Sequence, residues 1–277
     1  MGLRINTNVQ SLAAQRSLGN VKEEQGANLE KMASGSRINK ASDDAAGLAI
    51  SEKLKANIRG SQQAKRNAGD GISMIQTAEG GLNEVSNILV RLRELSVQAA
   101  SDTVGDQERQ FSDLEFQNLV QEVDRIAGST KFNGRDLLTG EGETADFQVG
   151  IMNDDFNDRI SYRPQDSAAT ADSIGIAGLS VGSKEGAQEN LENIDAALNK
   201  INGNRANLGA LQNRLQSTIS NLDVKTENLS SANSRIRDTD IAQTSSELTK
   251  ANILTSASTS VLAQANSSQN AALKLVG

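Results

Sequence analysis

Apolar residues return every three or four positions along most of this chain, and the strongest run lies between 64 and 99. There Ala64, Ala68, Gly71, Ile75, Ala78, Leu82, Val85, Leu89, Leu92, Ser96 and Ala99 follow a heptad seam, small toward one end and large toward the other. The spacing predicts one long helix that needs partners along its whole side. After a break near Asp102 to Gly105, Phe116, Leu119, Val123 and Ile126 predict a shorter helix. From Leu191 the pattern returns as Leu191, Ile194, Leu198, Ile201, Arg205 and Leu208, then Gln212, Leu215, Ile219, Leu222, Thr226, Leu229, Asn233 and Ile236. Three such helices can cover one another's stripes in a bundle.

The ends differ in kind. On one face of the last segment stand Ala251, Leu254, Ser258, Val261, Ala265, Ser268, Ala272 and Leu275. Residues 3–34 are similar, with Ile5, Val9, Leu12, Leu18, Val21, Leu29 and Met32 spread among polar residues. At about 25 cal/mol per Å², so thin a seam does not offset the entropy of ordering roughly 40 residues. Each end is therefore expected to be disordered alone and helical only against partners, chiefly other copies of the chain. Ile5, Val9, Leu12, Ala251, Leu254, Val261, Ala265, Ala272 and Leu275 are the expected subunit-packing positions. Between the helical parts, residues 139–182 carry Gly140, Gly142, Gly150, Gly175, Gly178 and Gly182 around the alternating stretches Asp146 to Val149 and Arg159 to Tyr162. That pattern reads as small β-hairpins, too short for a separate large domain.

Composition sharpens this picture. Aromatics are only 2 % of the 277 residues, there is no Trp, and Pro164 is the single proline, so little interrupts very long helices. The fold class expected is mainly α: an elongated rod of long coiled-coil-like helices, with a small β-hairpin region in the middle and the two terminal segments paired. The absence of Cys and His removes the commonest metal ligands, thiol nucleophiles and the usual general base. No catalytic residue, metal or cofactor is expected. No apolar run reaches about 18 residues, the start MGLRINTNVQ lacks a secretory apolar stretch, and Asn6 stands where myristoylation needs Ser or Thr. Neither membrane insertion nor a cleaved signal peptide is expected. The net charge of −7 is uneven: +5 over 1–66, −7 over 67–130, −6 over 131–190, 0 over 191–227 and +1 over 228–277. The acidic middle reads as a solvated face, and no basic patch with interleaved aromatics points to nucleic acid.

Several strings at both ends resemble bacterial flagellin. They are INTN at 5–8, SGSRINKASDDAAGLAIS at 34–51, NAGDGISMIQTAEGGLNEV at 67–85, VRLRELSVQAAS at 90–101, KFNG at 131–134, and NLSSANSRIRDTDIA followed by SVLAQAN between 228 and 266. The ending SSQNAALKLVG departs from the proline-containing, Leu-rich ending common in that family. The resemblance implies a filament subunit that leaves the cell for the extracellular flagellum without a cleaved signal. It implies an inner domain from 1–41 plus 237–277, a helical bundle from 42–138 plus 183–236, and the hairpin region 139–182 on the outer part of that bundle, with no large variable domain. It also implies as partners other copies of the chain, the export apparatus, an export chaperone, the filament cap and hook-associated proteins. Two alternatives stand beside it: a hook-filament junction protein of the same superfamily, and an enzyme on a flagellin scaffold. A zinc protease there would need an HExxH helix, and this chain has no histidine.

Three constellations have plain structural explanations. Ser42, Asp43 and Asp44 read as a helix cap and first-turn acids, not as a catalytic carboxylate pair. Asp154, Asp155 and Asp158 lack the spacing of an EF-hand loop and read as a solvated turn. The sequons at Asn228 and Asn266 fall in helical, buried segments and read as chance matches. The stretch VRLRELSVQ at 90–98 is different. With Leu89, Leu92, Ser96 and Ala99 inward, Arg91, Glu94, Leu95 and Gln98 are expected to point elsewhere, and an outward Leu95 would suit a partner surface. In flagellins the matching stretch packs between subunits and is read on free monomers by an animal Toll-like receptor. The resemblance carries that patch over to Arg91, Leu95 and Glu115.

Overall fold

The structure, a computed structural model, describes the backbone of residues 7–276 and the side chains of residues 7–267. Ile5, Ala272 and Leu275, three of the expected packing positions, lie outside the described side chains. The fold is mainly α. It divides into two compact units, residues 1–57 with 228–277 and residues 58–227. That division falls inside two long helices, the first of them α2 (Ala45–Ala99).

In the first unit, α1 (Val9–Ser34) is capped by Asn8, whose side chain accepts from Ser11 N at 3.0 Å, and ends on Gly35 with φ 68°, a left-handed turn that favours glycine. Asp44 caps α2 by accepting from Gly47 N at 2.8 Å. Asp43 instead accepts from Asn39 N and Lys40 N, both at 3.0 Å, which holds its carboxyl below the usual range. The two acids therefore shape the backbone, each in its own turn.

The second unit holds the main core. All eleven positions of the 64–99 seam are buried. Across from them stand α3 (Asp106–Ser129), with Phe116, Val120 and Val123, and α5 (Lys184–Arg237), with Ile194, Ala197, Ile201, Leu208 and Leu215. Burying side chains of that size supplies roughly 1.5–3 kcal/mol each. The connection is a further wall of the same core. β1 (Lys131–Phe132) and β2 (Arg135–Asp136) form a tight hairpin around Asn133 and Gly134, at φ 49° and 79°. β3 (Ala145–Gln148) pairs antiparallel with β4 (Arg159–Tyr162), Phe147 opposite Ile160. Ile160, Tyr162, Ile174, Ile176 and Val181 are all buried in that core, so the segment is not merely an outer appendage. Short α4 (Ala171–Ile174) starts where Ala171 N donates to Asp124 at 2.7 Å.

Glycines in α2 make room for this wall. A Cβ at Gly71 would stand 3.1 Å from the ring of Phe147, and one at Gly81 would stand 2.7 Å from Leu138 Cδ1. The helix pays in propensity at these positions and gains close packing of the connection.

Candidate assembly surfaces

Two surfaces carry the positions singled out from sequence. The first is the pair made by α1 and α6 (Ile241–Val276). Its inner seam reads Ser11, Ala14, Leu18, Val21, Gln25, Asn28 and Met32 on α1, against Thr244, Leu248, Ala251, Thr255, Ser258, Leu262 and Ala265 on α6, every one buried or half-buried. Polar bonds fasten it: Asn8 Nδ2 donates to Ala265 O at 2.9 Å, Ser11 Oγ to Asn266 Oδ1 at 2.9 Å, and Gln25 Nε2 to Asn252 Oδ1 at 2.6 Å. Each end therefore finds its first partner in the other end of its own chain.

Of the expected packing set, Ala251 and Ala265, at 2 % and 8 % exposure, are covered within the chain on the side of α1. Leu254 and Val261 fall outside the seam, where Thr255 and Leu262 take the inner positions. Residues three and four along a helix both lie within about 60° of the first, so periodicity alone could not choose between them. Val9, Leu12, Leu29, Ile253, Leu254 and Val261 are exposed, large and aliphatic. Asn228 and Asn266 are helical as expected but exposed.

The second surface lies on α2 and α3 in the other unit. Arg91 Nε donates to Glu115 Oε1 at 2.9 Å, and its Nη1 donates to Glu94 Oε2 at 3.0 Å. The hydrogen bond that Arg91 donates to Glu115, then that to Glu94, raises the already high pKa of the guanidinium. Arg91 and Glu115 are thus brought together, but Leu95 is not with them: at 2 % exposure it sits in the core with Phe116 and Val120. A helix covered on two sides needs a stripe wider than a heptad seam, and Leu95 fills the extra position. The outward apolar residues here are Val90 and Val97 on α2 and Phe111 and Leu114 on α3. Val90 and Val97, seven apart, share a face that the sequence already displayed.

Deeper in the same turn, Arg109 is buried and closes the α2–α3 corner. Its Nε donates to Ala99 O at 2.8 Å and its Nη2 to Ser101 O at 2.9 Å. Between α2 and α5, Arg93 pairs with Asp195 at 2.7 Å, and the bond keeps the Asp195 carboxyl low. Among the described residues no group of His, Cys, Asp and Glu could hold a metal, and no helix is long and apolar enough to cross a membrane.

Both ends of the chain match family models: the bacterial flagellin N-terminal helical region over residues 5–143 and the bacterial flagellin C-terminal helical region over 191–276. This chain belongs to the bacterial flagellins. It is 45 % identical to a flagellin of Halalkalibacterium halodurans, over 98 % of this chain and 99 % of that one. It is 40 % identical to the flagellin of Bacillus subtilis, over 99 % and 100 %, and 42 % identical to a flagellar filament core protein of Treponema maltophilum, over 98 % and 99 %. Among solved structures, the crystal structure of Bacillus cereus flagellin matches at a TM-score of 0.50 and 31 % identity, over 57 % of this chain and 88 % of that one. Flagellins of near-equal length thus align along almost the whole chain, and the family is structural.

Proposed function

We infer that this chain is the structural subunit of a flagellar filament, built by polymerisation of the chain with itself for swimming motility. The observation that carries the reading is the terminal helix pair. Its seam is mostly small and polar, while Val9, Leu12, Leu29, Ile253, Leu254 and Val261 are presented outward on both helices. A pair that leaves so much aliphatic surface in water gains by meeting other copies. Deleting residues 240–277 tests this: seeded polymerisation followed by electron microscopy should give no filaments, while the unit from 58 to 227 keeps its helical circular dichroism. Long filaments from the truncated protein refute the reading.

The rest of the partner set follows from the same resemblance: secretion without a cleaved signal, passage through the export apparatus with an export chaperone, and contacts with the filament cap and hook-associated proteins. The chain is not an enzyme on this reading. The released monomer meets an animal Toll-like receptor through Arg91 and Glu115, with Leu95 supporting that face from beneath. Arg91→Ala should weaken binding to the receptor ectodomain by about 1–3 kcal/mol, the range of interface hot spots.

A further inference from the structure

Where α1 gives way to α2 and α5 to α6, the two connections of the first unit pair with each other. Ser36 and Asp238 form an isolated antiparallel bridge, in which Arg37 N donates to Arg237 O at 2.6 Å and Thr239 N donates to Gly35 O at 3.0 Å. That pattern makes Ser36 and Asp238 the closer of the two kinds of antiparallel pair, with about 4.5 Å between Cα atoms. Local chemistry fixes both sides of the bridge. Left-handed Gly35 stops α1, and Asp240 starts α6 by accepting from Ala242 N at 2.9 Å and Gln243 N at 3.1 Å. Arg37 Nη2 also donates to Ile236 O at 2.8 Å, and the Thr239 and Thr244 hydroxyls bond each other at 2.9 Å.

The helices that leave this clasp run antiparallel, and their contacts keep step. From Gln25 back to Ser11 is fourteen residues, and from their partners Asn252 on to Asn266 is also fourteen. The seam could not hold that register unaided, because it repeats every seven residues. Thr244, Ala251, Ser258 and Ala265 stand one heptad apart, as do Leu248, Thr255 and Leu262, and on α1 Ser11, Leu18, Gln25 and Met32. A slip of one heptad therefore sets small and polar residues against one another again. The side-chain bonds along the seam are exposed or only part-buried, so water replaces them readily after a slip.

We propose that the clasp at Ser36 and Asp238 sets the register of α1 against α6. Its two bonds join backbone groups at single chain positions, bounded by Gly35 and Asp240, and so cannot shift by a heptad while both helices keep their ends. A slip would carry Leu254 and Val261 roughly 10 Å along α1, at about 1.5 Å per residue. The aliphatic pattern that the pair presents outward thus depends on a contact outside the pair. The register lock goes beyond the filament reading and acts in the chain whether or not it polymerises.

The chain has no Cys, so introduced thiols report alone. Ser11→Cys with Asn266→Cys joins the observed register, whereas Ser11→Cys with Thr259→Cys joins the register slipped by one heptad. Under mild oxidation the first pair should exceed the second about tenfold as an intramolecular disulfide, the preference that two backbone hydrogen bonds supply. Adding Arg37→Pro and Thr239→Pro removes both N–H donors and leaves every seam residue in place. The preference should then fall below about threefold, while the melting of the unit from 58 to 227 stays as in the wild type. A second variant needs no proline: Ser36→Cys with Asp238→Cys should close a disulfide, since the Cα spacing suits one, and oxidation should slow amide exchange from Ala14 to Asn28 about threefold or more. Both register cross-links are read in monomers and in filaments grown on wild-type seeds. Equal yields with the clasp intact, an undiminished preference in the proline variant, or neither cross-link in either state overturns the lock. So does a 36/238 pair that fails to oxidise or leaves exchange unchanged. Failure of the wild-type chain to extend any seed refutes the filament reading instead, and the monomer ratio still decides the register.

Discussion

Replacing Arg109 with Ala should destabilise the unit from 58 to 227 by about 3–5 kcal/mol. The buried guanidinium bridges the end of α2 to the start of α3 through Ala99 O and Ser101 O, at 2.8 and 2.9 Å. Hydrogen bonds to a charged group contribute about 1.5–3 kcal/mol each, and Ala99 is fully buried, so water does not easily replace the lost donor there. The third bond, to Asp106 at 2.8 Å, adds little because that carboxylate is 93 % exposed. Arg109→Lys should recover less than half of the loss, since one ammonium cannot reproduce the fork that reaches both carbonyls. Guanidinium unfolding of monomer, followed by far-UV circular dichroism, gives the difference at constant m. Amide exchange should speed up at Thr103 and Val104, and, because the cation is buried, urea titrations should show the Ala deficit unchanged by 0.5 M salt. A deficit below 1 kcal/mol, or one that salt erases, would show that the corner is held by apolar packing alone.

Two neighbouring glycines supply a paired test of the helix notches: Gly81→Val should cost about 1–3 kcal/mol by overpacking against Leu138 and Thr130, whereas Gly80→Ala, with open space around it, should be neutral or stabilising by up to about 1 kcal/mol in the same unfolding experiment. Leu254→Ser with Val261→Ser should leave monomer stability within about 0.5 kcal/mol of wild type yet raise the critical concentration for filament growth; equal damage to both states would place those side chains inside the monomer. Asp102, Asp195 and Glu122 are held below their ordinary values chiefly by hydrogen bonds to Lys184, Arg93 and Arg125, so what they contribute is fully present above the unfolded carboxylate pKa and is lost as pH falls through the lower folded values. With no histidine to titrate, the melting temperature should stay flat from pH 5 to 8 and fall in acid; a transition near pH 6.5 would contradict this.

The long seam was legible because its pattern is redundant: eleven positions agree on one phase, so no single residue decides it. The cap at Asp44 and the hairpin of β3 with β4 were legible for a similar reason, each fixed by local chemistry within a few residues. What periodicity could not settle was the width of a stripe or its phase where the seam is thin. Leu95 lies one step outside the heptad, and only the third wall made by α3 and the connection turns it inward. On α6, Leu254 and Thr255 compete for one inner position, and the hydroxyl that bonds back to Ala251 O at 2.8 Å takes it. Arg109 gave no signal at all, since a lone arginine in an acidic stretch reads as solvated until the carbonyls it covers are in view.

The two units of this chain follow opposite rules, and the contrast explains how one sequence can be both a stable monomer and a subunit. In the unit from 58 to 227 the largest side chains, Leu82, Leu89, Leu92, Phe116 and Ile194, are turned inward and satisfied within the chain. What is left there for a partner is small patches such as Val90 and Val97 on α2 and Phe111 and Leu114 on α3. In the terminal pair Val9, Leu12, Leu29, Ile253, Leu254 and Val261 are outside, and a seam of mostly small and polar residues holds only Leu18, Val21, Met32, Leu248 and Leu262, half-buried, so the chain alone realises only part of the stabilisation its sequence contains. Had Leu254 and Val261 been turned into the seam, the pair would fold firmly by itself and have little to gain from neighbours. Turned outward, they leave the rest of that stabilisation to lateral contact with further copies. Assembly is thus written into the phase of a helix, not into any single strong contact.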